Sequence, residues 1–202
     1  MSKQAESRNL TRENLLTAFW SLYKTKTIEK ITIREITQLA GYNRGTFYDH
    51  FLDIYDALDQ LQDSLLDYTE VAIEKYREGG FNQEIFEYLS NVFNDKKDYF
   101  NVFLGENRDP NFPVKMKKII RPVFYEVWGL SEDSEEAAQI YEFAISAIIG
   151  ALSHWYKSEK HLPYKQFISM TKSMIANGVF TEVQKISTRP GLHLIFKEVL
   201  GV

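Results

Sequence analysis

Residues 31–51 read ITIREITQLAGYNRGTFYDHF, and their residue types and spacing point to one mechanism. Thr32 can cap a first helix, and Gly41 can end that helix because glycine tolerates a positive φ. Asn43 can then cap a second helix from Arg44 to about Phe51. The apolar residues that recur at helical spacing on the first helix are Ile33, Ile36, Leu39 and Ala40. Two helices joined by a turn of about three residues that contains glycine are typical of a helix-turn-helix, whose second helix enters the DNA major groove.

The second helix of this pair separates apolar from polar side chains. Phe47 and Phe51 are four residues apart, so both are expected to point into a core. Polar side chains with hydrogen-bond donors project elsewhere, and these are Arg44, Thr46, Tyr48 and His50. Gly45 weakens a helix, which we interpret as room for close approach to DNA. The alternative is an ordinary amphipathic helix pair with a solvated polar face.

The run from Thr32 to Phe51, followed by Tyr55 and Leu58, resembles the DNA-binding domain of TetR-family transcriptional regulators. The resemblance covers about the first quarter of the chain. It implies that Asn43, Arg44, Thr46 and Tyr48 face the groove. It also implies phosphate contacts from Thr32, Arg34, Tyr48 and His50. With Gly45, the expected DNA-binding set is Thr32, Arg34, Asn43, Arg44, Gly45, Thr46, Tyr48 and His50.

Two positions depart from the family pattern. Tyr42 replaces the small aliphatic residue usual in the turn, which questions how the turn packs. Asp53 stands where many members carry lysine, which removes one expected phosphate contact.

Charge is distributed unevenly along the chain. Residues 1–52 contain eight Lys and Arg against five Asp and Glu, and the other 150 residues contain 16 against 23. The first segment is therefore +3 and the remainder −7, which agrees with the net charge of −4. A basic end on an acidic body suits a protein that presents one surface to phosphates.

The predicted fold is all-α, because apolar positions recur at three- and four-residue spacing almost throughout. The predicted domains are a helix-turn-helix domain (1–52), a helical effector-binding and dimerisation domain (53–180), and a tail of unknown role (181–202). Thr11 is expected to cap the first helix, and a long amphipathic helix is expected from Ile54 to about Tyr76. The further predicted helices are Gln83–Phe93, Lys97–Gly105, Phe112–Trp128, Ser134–Lys157 and Pro163–Gly178. Leu192, Ile195, Phe196, Val199 and Leu200 suggest a short amphipathic segment in the tail.

The body is rich in aromatic side chains, most of which are expected in the core. The family resemblance implies a pocket for a small apolar or aromatic effector, and the first candidates for its lining are Phe103, Tyr125, Trp128 and Tyr141. The helix near 135–157 is apolar over much of its circumference, so either a central core position or a partner subunit must cover it. The resemblance favours a homodimer through Ala144, Ala147, Ala151, Phe167, Met170 and Met174.

Several classes of protein are disfavoured. The chain has no cysteine for disulfides or thiolate metal sites, and its four histidines show no metal-ligand spacing. No cofactor, metal or catalytic residue is predicted, and we expect no enzyme. The start resembles no secretory leader and no apolar run reaches membrane-spanning length, so a cytoplasmic protein without membrane contact is expected.

Together with the motif, the resemblance to TetR-family regulators implies a dimeric repressor that binds a palindromic operator in double-stranded DNA and is released by a small ligand. One alternative is a transcriptional activator that works with a protein partner. Another is a helical interaction protein that does not bind DNA.

Overall fold

The computed structural model describes residues 3–79, 83–105, 109–158 and 162–189. The all-α prediction is confirmed, since every regular element within these ranges is helical. A 3-10 turn (Ile28–Lys30) precedes the helix-turn-helix. The α-helices are α1 (Lys3–Tyr23), α2 (Ile33–Ala40), α3 (Arg44–Tyr48), α4 (Ile54–Gly79), α5 (Gln83–Asp95), α6 (Lys97–Leu104), α7 (Asn111–Trp128), α8 (Glu135–Lys157), α9 (Tyr164–Asn177) and α10 (Val179–Ile186).

Contacts divide the chain into two compact units, one up to Leu65 and one from Leu66 onward. This boundary falls inside α4, which therefore contributes to the core of both units. The predicted division at residues 52 and 180 stays a prediction. The amphipathic tail segment predicted around 192–200 lies outside the described residues.

The first unit is built on a buried cluster from α1, α2 and α3 and the start of α4. Its most deeply buried large apolar side chains are Leu15, Phe19, Ile36, Phe47 and Phe51. The predicted start of α1 is wrong, because Thr11 lies inside the helix and its hydroxyl donates to the Ser7 carbonyl at 3.0 Å. Residues 3–10 contain no proline or glycine that would stop the helix there.

The buried face of α2 differs from the predicted one at two positions. Ile36 and Thr37 are buried, whereas Leu39 is 57% exposed. Successive residues of a helix turn by about 100°, so a face centred between Ile36 and Thr37 leaves Leu39 outside it. The prediction that Leu39 packs inward is therefore wrong.

The second unit contains two aromatic clusters. In the first, the rings of Phe103 and Phe112 lie 4.9 Å apart and the ring of Phe100 stacks on Tyr156 at 6.2 Å. The second cluster lies on α7 and α8 and consists of Phe124, Tyr125, Trp128 and Tyr141. The five helices predicted from Gln83 to Gly178 are present, with ends within two residues of the predicted ones.

α10 and the three residues after it pack against the end of α7. Val179 and Val183 of α10 are buried with Val127 and Trp128 of α7. The Thr188 amide donates to the Gly129 carbonyl at 3.2 Å, and Arg189 Nη1 donates to the carbonyls of Glu126 and Val127. Residues 187–189 therefore satisfy carbonyl groups that the end of a helix leaves open.

None of the described helices is both long enough and apolar enough to cross a lipid bilayer.

Candidate nucleic-acid interface

The candidate interface begins at the capped end of α2. The Thr32 hydroxyl accepts from the Glu35 amide at 3.3 Å, and the Glu35 carboxylate accepts from the Thr32 amide at 3.0 Å, which completes the predicted cap as a capping box. Lys26 Nζ lies 2.6 Å from the same carboxylate. The hydrogen bond from Lys26, followed by that from Thr32, lowers the pKa of Glu35 to about 2.

This arrangement bears on the predicted phosphate contact of Thr32. Its hydroxyl also donates to Glu35 Oε2 at 2.8 Å, so its proton is already used within the protein. A phosphate would have to compete with a carboxylate for that proton. Arg34, the next predicted phosphate contact, is exposed on the first turn of α2.

The turn between α2 and α3 has the geometry predicted from its glycine. Gly41 adopts φ 77° and ψ 26°, in the left-handed region, and the Tyr42 amide donates to the Thr37 carbonyl at 2.9 Å. The Tyr42 hydroxyl accepts from Asn14 Nδ2 at 3.1 Å and so connects the turn to α1. The unusual tyrosine therefore has a defined place beside α1.

The start of α3 is held by Asn43. Its side-chain oxygen accepts from the Thr46 amide at 2.9 Å, which confirms the predicted cap. A Cβ built on Gly45 would lie 3.1 Å from that same oxygen. The Asn43 cap therefore favours a glycine at position 45 for a reason within the protein, in addition to the predicted close approach to DNA.

α3 ends earlier than predicted. It spans Arg44–Tyr48, and Asp49 is its C-cap. Phe47 and Phe51 are buried as predicted, and their rings lie 5.1 Å apart. These two rings fix the inner side of α3 and of the turn that follows it.

The outer side of α3 carries a guanidinium and a phenol next to each other. Arg44 is exposed and Tyr48 is 51% exposed. Arg44 Nη2 lies 3.4 Å from the Tyr48 hydroxyl, and the guanidinium carbon lies 5.9 Å from the centre of the Tyr48 ring. This pairing across one helical turn holds two strong hydrogen-bonding groups on one solvent-facing surface.

His50 lies beyond the end of α3 and is half-buried. Burial, followed by the charge of Arg8, lowers the pKa of His50 below its usual value of 6.5. The lowered pKa favours the neutral imidazole, which has one N–H to offer a phosphate. Together with Arg8 and Thr46 it lines an open groove of about 730 Å³ beside α1.

Asp53, the second departure from the family pattern, caps α4. Its Oδ1 accepts from the amides of Tyr55 at 2.8 Å and Asp56 at 2.9 Å. An acidic cap is favourable at the positive end of a helix, so Asp53 has a structural role where a lysine would contact DNA.

Three polar side chains around α3 were not found from the sequence. Arg8 Nη2 donates to the Asp49 carbonyl at 3.2 Å, Arg12 Nε donates to Gln60 Oε1 at 2.8 Å, and Gln60 Nε2 donates to the His50 carbonyl at 3.3 Å. Each contact joins residues at least ten positions apart. The one local signal is the four-residue spacing of Arg8 and Arg12, which places both on one side of α1.

The predicted effector-pocket residues separate into two groups in the second unit. Tyr125 and Tyr141 lie 6.0 Å apart, and Phe124 contacts both of them and Trp128. Phe103 packs on Phe112 in the other aromatic cluster. Tyr125 also lines an open surface cavity of about 470 Å³ near Gly129. Burial raises the pKa of Tyr141 to about 12.

The predicted dimer residues also fall into two groups. Ala144 and Phe167 are buried within the protomer, and Ala151 is half-buried. Ala147 is exposed on α8, while Met170 and Met174 are exposed on α9. Phe143 of α8 adds a ring that is 69% exposed.

Comparison with known proteins finds a family model that matches the C-terminal region and solved structures with a similar fold. Residues 82–177 match a TetR family model described as "Transcriptional regulator C-terminal region". A TetR transcriptional regulator from Streptococcus agalactiae 2603V superimposes with a TM-score of 0.64 at 22% identity, over 85% of this chain and 97% of that one. The dihydroxyacetone kinase operon activator DhaS superimposes with a TM-score of 0.55 at 17% identity, over 88% and 98%. No curated protein matches in sequence.

Proposed function

We propose that this chain binds a specific operator in double-stranded DNA through α3. Its fold and its C-terminal region are those of TetR-family transcriptional regulators. The observation that carries the proposal is the exposed Arg44–Tyr48 pair on a helix whose other side is fixed by buried Phe47. A guanidinium can bond two acceptors of one guanine, and a tyrosine hydroxyl can bond a phosphate.

The other predicted DNA-binding residues differ in how free their side chains are to meet DNA. Arg34 and Thr46 have side chains at least partly accessible to solvent, and neutral His50 has a donor near the groove beside α1. Asn43 and Gly45 act first in the cap of α3, and Thr32 in the cap of α2. We propose that these three contribute through backbone position, that Arg44 reads a base edge and that Tyr48 bonds a phosphate beside it.

Selection from a pool of random duplexes would identify the operator, and titration at several salt concentrations would then test the contacts. Arg44→Ala and Tyr48→Ala should each weaken specific binding while leaving the helical content unchanged, since both side chains are exposed. A bidentate contact to a base provides about 1–3 kcal/mol of discrimination. Lys24→Gln, which removes a positive charge just after the C-terminal end of α1, is the matched control. Full operator affinity in both variants would reject the assignment.

We further propose that two copies pair through the exposed face of α8 and α9 that carries Phe143, Ala147, Met170 and Met174. Two-fold pairing would place two recognition helices on a palindromic operator, about 34–36 Å apart. Ala147→Trp should split the dimer, and Glu74→Trp at an exposed position of α4 is the control. An unchanged solution mass for Ala147→Trp would contradict this interface.

For the direction of regulation we propose repression that is relieved by a small apolar or aromatic effector bound among the aromatic side chains of the body. The effector would have to bind the released state more tightly than the DNA-bound state, because only differential affinity shifts such an equilibrium. One structural relative is named as an operon activator. Reporter transcription measured with and without the protein would distinguish repression from activation. Lower transcription in the absence of the protein would indicate activation.

A further inference from the structure

We propose that Arg12 and Gln60 are positioning residues for α3, which set the angle at which the Arg44–Tyr48 pair meets the base pairs and thereby set base preference. This inference rests on the proposed DNA-binding function. It assigns a role to two side chains that need not touch DNA themselves. All the residues involved lie within the first unit.

The first step is the orientation of the Gln60 amide. Arg12 Nε donates to Gln60 Oε1 at 2.8 Å, so the oxygen of this amide faces α1. Its nitrogen then faces the end of α3 and donates to the His50 carbonyl at 3.3 Å and to Asp56 Oδ1 at 3.2 Å. A hydrogen bond from a charged group is stronger than a neutral one, so the guanidinium fixes which way the amide points.

The second step is the end of α3 that these contacts hold. Arg8 Nη2 donates to the carbonyl of Asp49, the C-cap, and Gln60 Nε2 donates to the carbonyl of the next residue, His50. α3 has five residues, too few to be stable as an isolated helix. Its direction therefore depends on what holds it in place, which is the burial of Phe47 on its inner side, the Asn43 cap at its start and this network at its end.

The third step separates positioning from direct contact with phosphate. The Arg12 side chain is partly buried and bonded to Gln60, and Gln60 is uncharged. The Asp56 carboxylate lies beside Gln60 and accepts from the Leu52 amide at 2.8 Å, so Gln60 sits between the positive charge of Arg12 and the negative charge of Asp56. Replacing Gln60 by an uncharged side chain therefore removes no charge that a phosphate could meet. Its effect on DNA then passes through the backbone of residues 49–52.

Gln60→Met tests this role because methionine keeps the length of the side chain and its lack of charge but removes the hydrogen bonds to Arg12, His50 and Asp56. Gln60→Leu is the second variant, and Lys24→Gln is the control for general electrostatic effects. Each purified protein is checked for thermal unfolding. It is then titrated with the selected operator and with an unrelated duplex at several salt concentrations, and its base preference is determined by repeating the selection.

We expect operator affinity to fall by about tenfold, the equivalent of one or two hydrogen bonds, with unchanged affinity for the unrelated duplex. The slope of log affinity against log salt should also stay unchanged, because no phosphate contact is lost. A purely structural role would instead lower the unfolding temperature and weaken binding to both duplexes equally, and that result would overturn the inference. So would a Gln60→Met protein with wild-type affinity and base preference. A wild-type protein without any sequence preference would overturn the proposed function itself, and this inference with it.

Discussion

The cap of α3 gives a quantitative prediction, because two residues compete for one space. A Cβ at Gly45 would lie 3.1 Å from Asn43 Oδ1, and that oxygen is held by the Thr46 amide at 2.9 Å. Alanine in place of glycine stabilises a helix by roughly 0.5–1 kcal/mol. In Gly45→Ala this gain is offset, because the oxygen must move by a few tenths of an ångström and weaken a cap worth about 1 kcal/mol.

Asn43→Ala removes both the cap and the atom that the new Cβ would meet. Alone, it should cost about 1 kcal/mol of unfolding free energy. Gly45→Ala should be near neutral in the wild-type protein, but should add roughly 0.5–1 kcal/mol of stability in the Asn43→Ala background. The double-mutant cycle should therefore show a coupling free energy of the same size between these two positions.

Urea unfolding followed by tryptophan fluorescence can measure this cycle. Trp20 is buried in the unit that contains α3, and replacing Trp128 and Trp155 by Phe in every variant leaves it as the single reporter. If Gly45→Ala changes the unfolding free energy equally in both backgrounds, the steric competition inferred from the 3.1 Å distance is refuted.

Two further predictions concern acid stability and a glycine. The pKa of Glu35 is lowered to about 2, so the contribution of its carboxylate to stability should be complete above about pH 4.5 and lost as the pH falls towards 2. The measurement is the difference in unfolding free energy between wild type and Glu35→Gln across this range. A difference that does not change with pH would contradict the prediction. Gly129→Ala should destabilise more than Gly41→Ala in urea unfolding. Both glycines have positive φ, which costs an alanine roughly 1–2 kcal/mol. A Cβ at Gly129 would also lie 2.5 Å from Arg189 Cβ, whereas one at Gly41 meets no atom within 4 Å. Equal losses of unfolding free energy in the two variants would show that Arg189 moves away from the new Cβ at no cost.

The features that the sequence predicted correctly are local. The cap at Thr32, the left-handed turn at Gly41 and the cap at Asn43 each depend on residues at most five positions apart. The same holds for most helix ends in the body, where proline, glycine and serine mark the breaks. The burial of Phe47 and Phe51 followed from their spacing and the need for a core.

The features that it missed depend on packing between distant residues. Leu39 fits an apolar helix pattern by itself, and only packing against other helices decides that Thr37 is buried in its place. The network of Arg8, Arg12 and Gln60 joins residues up to 48 positions apart. α10 is short, and what identifies it is the burial of Val179 and Val183 against α7.

The attachment of residues 187–189 to α7 has a practical consequence for work with this protein. Ser187, Thr188 and Arg189 bond to the carbonyls of Trp128, Gly129, Val127 and Glu126. A shortened version that stops before Ser187, or a fluorescent label fused there, would leave those oxygens without the hydrogen bonds that these residues supply. Any cut or junction should therefore be placed after Arg189, so that the end of α7 keeps its covering.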